Sequence, residues 1–174
     1  MENYLKVKGS DERFKHRGAL ISTGNFDGGV SSVVEKAMGG MYKAGHTAVK
    51  DVLEYATRPS DDSKGLFLMD SPGHDGEVVT GMVGGGAQVI VFTTGRGTPT
   101  GFPFVPVIKL IGNDSTYNKM RENIDINAGP IITEGATIKD IGEEIFNKVL
   151  KVASGEKTKA EILRHDELFC ITRA

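Results

Sequence analysis

Cysteine is nearly absent. The single Cys170 cannot close an internal disulfide and fits a reducing cytoplasm. An excess of one charge is also missing: Lys and Arg number 21 against 23 Asp and Glu, a formal charge of −2. Neither nucleic acid nor an anionic membrane is therefore expected as the main partner. No apolar run approaches the roughly 20 residues that cross a bilayer, and Met1-Glu2-Asn3-Tyr4 shows no signal-peptide pattern. What is abundant is glycine. Its 23 residues in 174 are about 13% of the chain, nearly twice the ~7% average. The ordinary apolar fraction excludes collagen-like and disordered chains, so the glycines mark tight turns and close backbone approach to something bound. This length fits one domain, or one domain with a small appendage, and buries a core without staples.

Residues 1–27 read as an irregular N-terminal segment, and 28–174 as the domain proper. From Val30 to Ala44 apolar residues recur at helical spacing, with Asp27 as N-cap, Gly45 as stop, and Ser32, Lys36, Gly39 and Lys43 on the opposite face. Between Thr47 and Lys64 the segment Pro59-Ser60-Asp61-Asp62-Ser63 is linker-like. Three short runs of continuous apolarity follow, Leu66–Met69, Val89–Phe92 and Val105–Ile111, with a helix over Glu77–Gly84 between the first two. Continuous rather than alternating apolarity predicts strands covered on both faces. The expected fold class is α/β, a mostly parallel sheet flanked by helices in a Rossmann-like three-layer arrangement. A helix over Ser115–Glu122 comes next. The clearest helix spans Ile138–Ala153, where Ile138, Ile141, Ile145, Val149 and Val152 share a face, Thr137 and Asp140 form a capping box, and Gly155 stops the helix. A short helix over Lys159–Arg164 and a closing strand over Leu168–Ile171 complete the pattern.

Ligands of open parallel sheets bind beyond the carboxyl ends of the strands. Two polar loops directly follow apolar runs, Asp70–Gly76 and Thr93–Gly101, and on parallel neighbours both open on one edge. In the second loop Thr93, Thr94, Gly95, Arg96 and Gly97 combine hydroxyls, bare amides and a guanidinium, a set suited to a carboxylate or phosphate. A glycine-rich turn with a solvated Arg is the alternative, and the local pattern does not separate the two. In the first loop Asp70 and Asp75 are candidates for a general base or metal ligand, and His74 for a proton shuttle; a loop cap explains Asp70 equally well. Lys36 and Lys43 offer positive charge to an anion, or merely a solvated helix face. Lys109 interrupts an apolar run and must reach a strand edge, a carboxylate or a ligand. Asp125-Ile126-Asn127-Ala128-Gly129 is a turn rich in acceptors, equally explained as capping chemistry. His16, His46 and His165 read as surface residues, and Cys170 as a core residue.

Taken together, Gly28-Gly29-Val30-Ser31-Ser32-Val33-Val34-Glu35-Lys36-Ala37-Met38-Gly39, Asp70-Ser71-Pro72-Gly73-His74-Asp75, Phe92-Thr93-Thr94-Gly95-Arg96-Gly97-Thr98-Pro99, Asp125–Gly129 and Val152-Ala153-Ser154-Gly155 resemble the altronate and galactarate dehydratases in order and spacing. The resemblance runs from about Gly24 onward, and its most specific element is Thr-Thr-Gly-Arg-Gly-Thr-Pro. It implies the C-terminal domain of a cytoplasmic hydro-lyase that dehydrates a sugar acid, altronate first and galactarate next, to a 2-keto-3-deoxy acid. It also implies dependence on Fe2+ or Mn2+, whose ligands stay unassigned. Family members are more than twice this long, so the chain is expected to be a fragment or a split subunit. Its partners would then be the sugar acid, the N-terminal domains or subunit, and, through bared apolar surface, further copies of itself. Little activity is expected of it alone. The larger subunit of sulfolactate sulfo-lyase is similar and implies loss of sulfite instead of water; a non-catalytic anion-binding module is the reading from another class. On the dehydratase reading, Arg96 with Thr93, Thr94, Gly95, Gly97 and Lys43 binds substrate, and Asp70, Asp75, Lys36 and Lys109 supply the catalytic groups.

Overall fold

The structure is a computed structural model that describes residues 31–60 and 63–166. Its elements in chain order are α1 (Val33–Lys43), β1 (Val49–Leu53), β2 (Leu66–Met69), α2 (Asp75–Gly84), β3 (Ile90–Thr94), β4 (Val107–Ile111), α3 (Asp114–Lys119), β5 (Ile126–Asn127), α4 (Pro130–Thr133), α5 (Ile138–Ala153) and α6 (Lys159–Ile162). β1 and β2 pair in parallel as one sheet. β3, β4 and β5 form a second, also parallel, in that order.

β4 explains the three-stranded sheet. All five of its residues are buried, as continuous apolarity requires of a central strand. Its alternate residues feed two cores. Val107 packs with Ile90, Val79, Phe102 and Val105 against α2, while Ile108 and Leu110 pack with Ile126 and Val152, backed by Ile145 and Val149 of α5. Helices thus cover both faces of β4, and the fold class is α/β as expected; β2 and β3, however, belong to separate sheets and are not the parallel neighbours expected. α2 tolerates a mid-helix glycine because the Tyr55 ring lies over Gly81 where a Cβ would stand; the Tyr55 hydroxyl donates to Glu77 O at 2.6 Å.

α5 spans Ile138–Ala153 as the periodicity predicts, with the Thr137–Asp140 capping box formed and Gly155 in the left-handed region at φ +102°. Ile138 departs from its predicted place on the face of Ile141 and Val152: in the first turn of α5 it is 79% exposed. α1 is capped by Ser32, whose Oγ accepts the Glu35 N–H at 3.2 Å. The apolar side chains Val34, Met38 and Met41 of α1 are exposed among the described residues. β1, for which the sequence gives no strand expectation, lies ahead of the linker-like Pro59–Ser63 segment. That strand was hidden because Lys50 and Asp51 break its apolarity, and both are exposed on a two-stranded sheet. The Asp27 cap, the irregular segment 1–27, His16, Cys170 and the strand over Leu168–Ile171 lie outside the described residues.

Candidate functional site

Register brings three strand ends to one level. Thr94 lies opposite Ile111, and Ile111 opposite Asn127, so the loops that begin at Gly95, Gly112 and Ala128 leave the sheet together. This carboxyl rim is where a parallel sheet presents backbone and loop groups to a ligand.

The β3 loop is held at several points. Gly97 donates its N–H to Thr94 Oγ1 at 3.1 Å, closing a tight turn over Gly95 and Arg96. Gly97 sits at φ +80°, and a Cβ there would overlap Met120 Sδ; the turn thus rests on the chain just after α3. The buried Thr98 and Thr100 hydroxyls share a 2.7 Å hydrogen bond, and Thr100 Oγ1 donates to Asp75 Oδ2 at 3.5 Å. The loops after β2 and β3 therefore meet, through Asp75. Arg96 is exposed and makes no hydrogen bond or ion pair among the described residues.

Of the other predicted residues, Lys43 reaches this rim: its Nζ donates to Thr93 Oγ1 at 3.4 Å. Lys36 lies on α1 two turns earlier, exposed. Asp70 stands at the carboxyl end of β2, half-buried, its N–H donating to Leu53 O. His74 is the exposed N-cap of α2 and makes no side-chain capping bond. Lys109 lies opposite Phe92, two residues below the rim, and is fully buried; its Nζ donates to Pro99 O at 3.0 Å. Burial pulls its amine down to about 8, against the opposing pull of Asp125.

Sequence reasoning missed Asp114, Thr133 and His165. Asp114 opens α3 just past the end of β4, and its carboxylate accepts from Asn127 Nδ2 at 2.7 Å and from Thr133 Oγ1. Those two hydrogen bonds, Thr133's first, hold its carboxyl below the usual carboxylate range. Ile111-Gly112-Asn113-Asp114 has the same apolar-run-then-polar-loop pattern as the other two loops, and that was the available signal. His165, expected at the surface, is half-buried, and its Nδ1 is 2.6 Å from Pro99 O. A carbonyl only accepts, so this ring nitrogen carries the proton. Asp125 and Asn127 act within the fold. Asp125 accepts the N–H of Lys109 at 2.9 Å and of Lys159 at 3.0 Å, and Asn127 Oδ1 accepts the N–H of Gly129 at 3.0 Å.

Among the described residues no three of His, Cys, Asp and Glu converge, so they do not by themselves present a ligand set for Fe2+ or Mn2+. Two surface grooves, one lined by Lys50, Arg58 and Phe67 and one by Gly142, Glu143 and Phe146, include no residue of the rim. No described helix is long and apolar enough to cross a membrane.

The family model for the D-galactarate/altronate dehydratase C-terminal region matches residues 2–174. The chain is 42% identical to galactarate dehydratase (L-threo-forming) of Escherichia coli K12 over 156 residues, which is 90% of this chain and 28% of that protein. It is 36% identical to the (2R)-sulfolactate sulfo-lyase subunit beta of Chromohalobacter salexigens, over 86% of this chain and 38% of the relative. It is also 36% identical to altronate dehydratase of Escherichia coli K12, over 79% of this chain and 27% of the relative. The chain thus spans between 27% and 38% of the length of these relatives.

Proposed function

We propose that this chain, which belongs to the D-galactarate/altronate dehydratase C-terminal family, forms the anion-binding rim of a hydro-lyase that dehydrates a sugar acid. One observation carries the reading. Arg96 stands exposed and unpaired among the described residues, at the tip of a turn whose flanks are all tied down. A free guanidinium on a fixed backbone is suited to a carboxylate, which it binds through two parallel hydrogen bonds. The Gly95 backbone and the Thr93 hydroxyl, with Lys43 beside it, offer further contacts to substrate oxygens, while Gly97, its N–H given to Thr94, shapes the turn.

The reaction removes the proton on the carbon next to the carboxylate and expels the neighbouring hydroxyl, leaving an enol that becomes the 2-keto-3-deoxy acid. The developing negative charge spreads onto the carboxylate oxygens, where Arg96 is strongest; Lys36 and Lys43 add positive field. Asp70 and Asp75 are the carboxylates proposed for proton removal, Asp75 already oriented by Thr100. Altronate and galactarate are the substrates proposed first. A divalent Fe2+ or Mn2+ would need ligands beyond the described residues. The remainder of the enzyme, further copies of the chain and a cytoplasmic location belong to the same proposal.

Loss of sulfite from sulfolactate is the second reading, because the sulfo-lyase subunit matches over 86% of this chain and the same proton is removed. The test is turnover of altronate, galactarate and sulfolactate by the complete protein that carries this domain, with and without ferrous or manganous ion. Arg96→Ala should lower kcat/KM on the preferred substrate at least about tenfold, the factor for roughly 1.4 kcal/mol of transition-state stabilisation. Rates like wild type would remove Arg96 from the site. Anion binding without turnover would favour a non-catalytic module.

A further inference from the structure

We infer that Lys109 and His165 are positioning residues: they clamp the carbonyl of Pro99 from two sides and so hold the Thr93–Gly97 turn in the shape that receives an anion. The positioning role rests on the reading of that turn as the substrate site; the clamp itself does not.

Two side-chain donors converge on one backbone oxygen. Lys109 Nζ donates to Pro99 O at 3.0 Å from within β4, and His165 Nδ1 donates to it at 2.6 Å from the chain that follows α6. Two donors fill both lone pairs of the carbonyl, so the oxygen is fixed in two directions rather than one. Pro99 has no N–H, and this carbonyl is its one backbone polar group. On either side of it Thr98 and Thr100 are buried and bonded to each other at 2.7 Å. The chain therefore has little slack between the clamp and Gly97, which closes the turn on Thr94.

Lys109 is an expensive way to make one hydrogen bond. It is fully out of solvent, and an apolar side chain of similar length would fill its place without the desolvation cost. Stability alone does not account for an ammonium there; a fixed loop above it does. His165 lies 66 residues away in sequence, so the loop is gripped by the far end of the described chain as well as by the sheet beneath it.

Trypsin reports the clamp directly, because Arg96 occupies the tip of the turn. In the 174-residue chain, cleavage between Arg96 and Gly97, identified by mass spectrometry, is expected to quicken about tenfold in both Lys109→Met and His165→Ala. That is the factor by which one lost net hydrogen bond raises a local opening equilibrium. His165→Asn, whose side-chain amide nitrogen stands near the place of Nδ1, should keep the wild-type rate. His165 lies at a half-buried edge, so its variants keep the test open even if the core substitution at Lys109 fails to fold. In the complete protein His165→Ala should raise KM for the sugar acid about fivefold while kcat stays within about twofold, with His165→Asn restoring KM, since a loosened site loses uniform binding first. Unchanged cleavage in both Lys109→Met and His165→Ala overturns the clamp. Faster cleavage with an unmoved KM overturns the positioning role. A wild-type protein that neither binds nor turns over a sugar acid overturns the proposed function, while the cleavage rates still decide the clamp.

Discussion

Replacing Asp125 by alanine should cost about 3–4 kcal/mol of folding stability, although the residue touches no ligand in the proposed site. Its side chain is entirely out of water. One oxygen accepts the Lys109 N–H at 2.9 Å and the other the Lys159 N–H at 3.0 Å. Alanine leaves the Lys109 N–H orphaned in a fully buried strand, at about 1–3 kcal/mol for a buried donor without a partner. The Lys159 N–H, at the half-buried start of α6, can recruit water and adds about 1 kcal/mol. The carboxylate's own cavity supplies the rest. Against a typical total of about 5–15 kcal/mol this is a large fraction, and it lowers Tm by about 10 °C for a chain of this size. The chain has no tryptophan, so urea unfolding should be followed by far-ultraviolet circular dichroism. Lys148 provides the control. Its Nζ is 4.0 Å from Asp125 and 2.6 Å from Glu156, so it is chiefly Glu156's partner. Lys148→Ala should cost no more than about 1 kcal/mol. A loss under about 1 kcal/mol for Asp125→Ala, or equal losses for both variants, would refute the view that backbone satisfaction is what Asp125 provides.

Three further outcomes are expected. Gly97→Ala places a Cβ at φ +80° against Met120 Sδ and should destabilise the turn by about 2 kcal/mol or more, read as faster amide exchange across residues 94–98. Lys109, held to about 8 by burial, loses its proton in the native state well before it does in the unfolded chain. Between pH 8 and about 10.4 the unfolded chain therefore binds more protons, and wild-type stability gains up to about 1.4 kcal/mol per pH unit that Lys109→Met lacks; parallel stability-versus-pH curves would contradict this. Thr133→Val removes the main hydrogen bond that lowers Asp114, so its carboxyl should titrate at higher pH by carbon-detected NMR. The stability Asp114 lends is present above the ordinary carboxylate range and fades as pH falls through its lowered value.

Elements with a local cause could be read from the chain. α5 carries its own capping box and stop, and β4 an apolar run broken only by Lys109, so both stand where the pattern puts them. β1 could not be read that way, because a short strand on a small sheet keeps Lys50 and Asp51 in water and so shows no apolar run. The Thr93–Gly97 turn was legible as a candidate site because hydroxyls, glycines and an arginine crowd into a few residues. What holds it was not. Asp125 with Lys159 and Pro99 with His165 are joined across 34 and 66 residues, and only strand register and the return of α6 bring them together. Lys109 falls between these two cases. Its place in an apolar run announced that it needs a partner, but a proline carbonyl is a partner that residue types do not advertise.

His165 has a consequence for how the molecule is made. A ribosome delivers the Thr-Thr-Gly-Arg-Gly turn long before the residue that pins it from behind. Until α6 emerges and swings back, the nascent domain can pair β3 with β4 yet cannot finish its rim. Translation that stalls between Asn127 and His165 leaves a chain that holds all three strands of that sheet and an unsecured mouth.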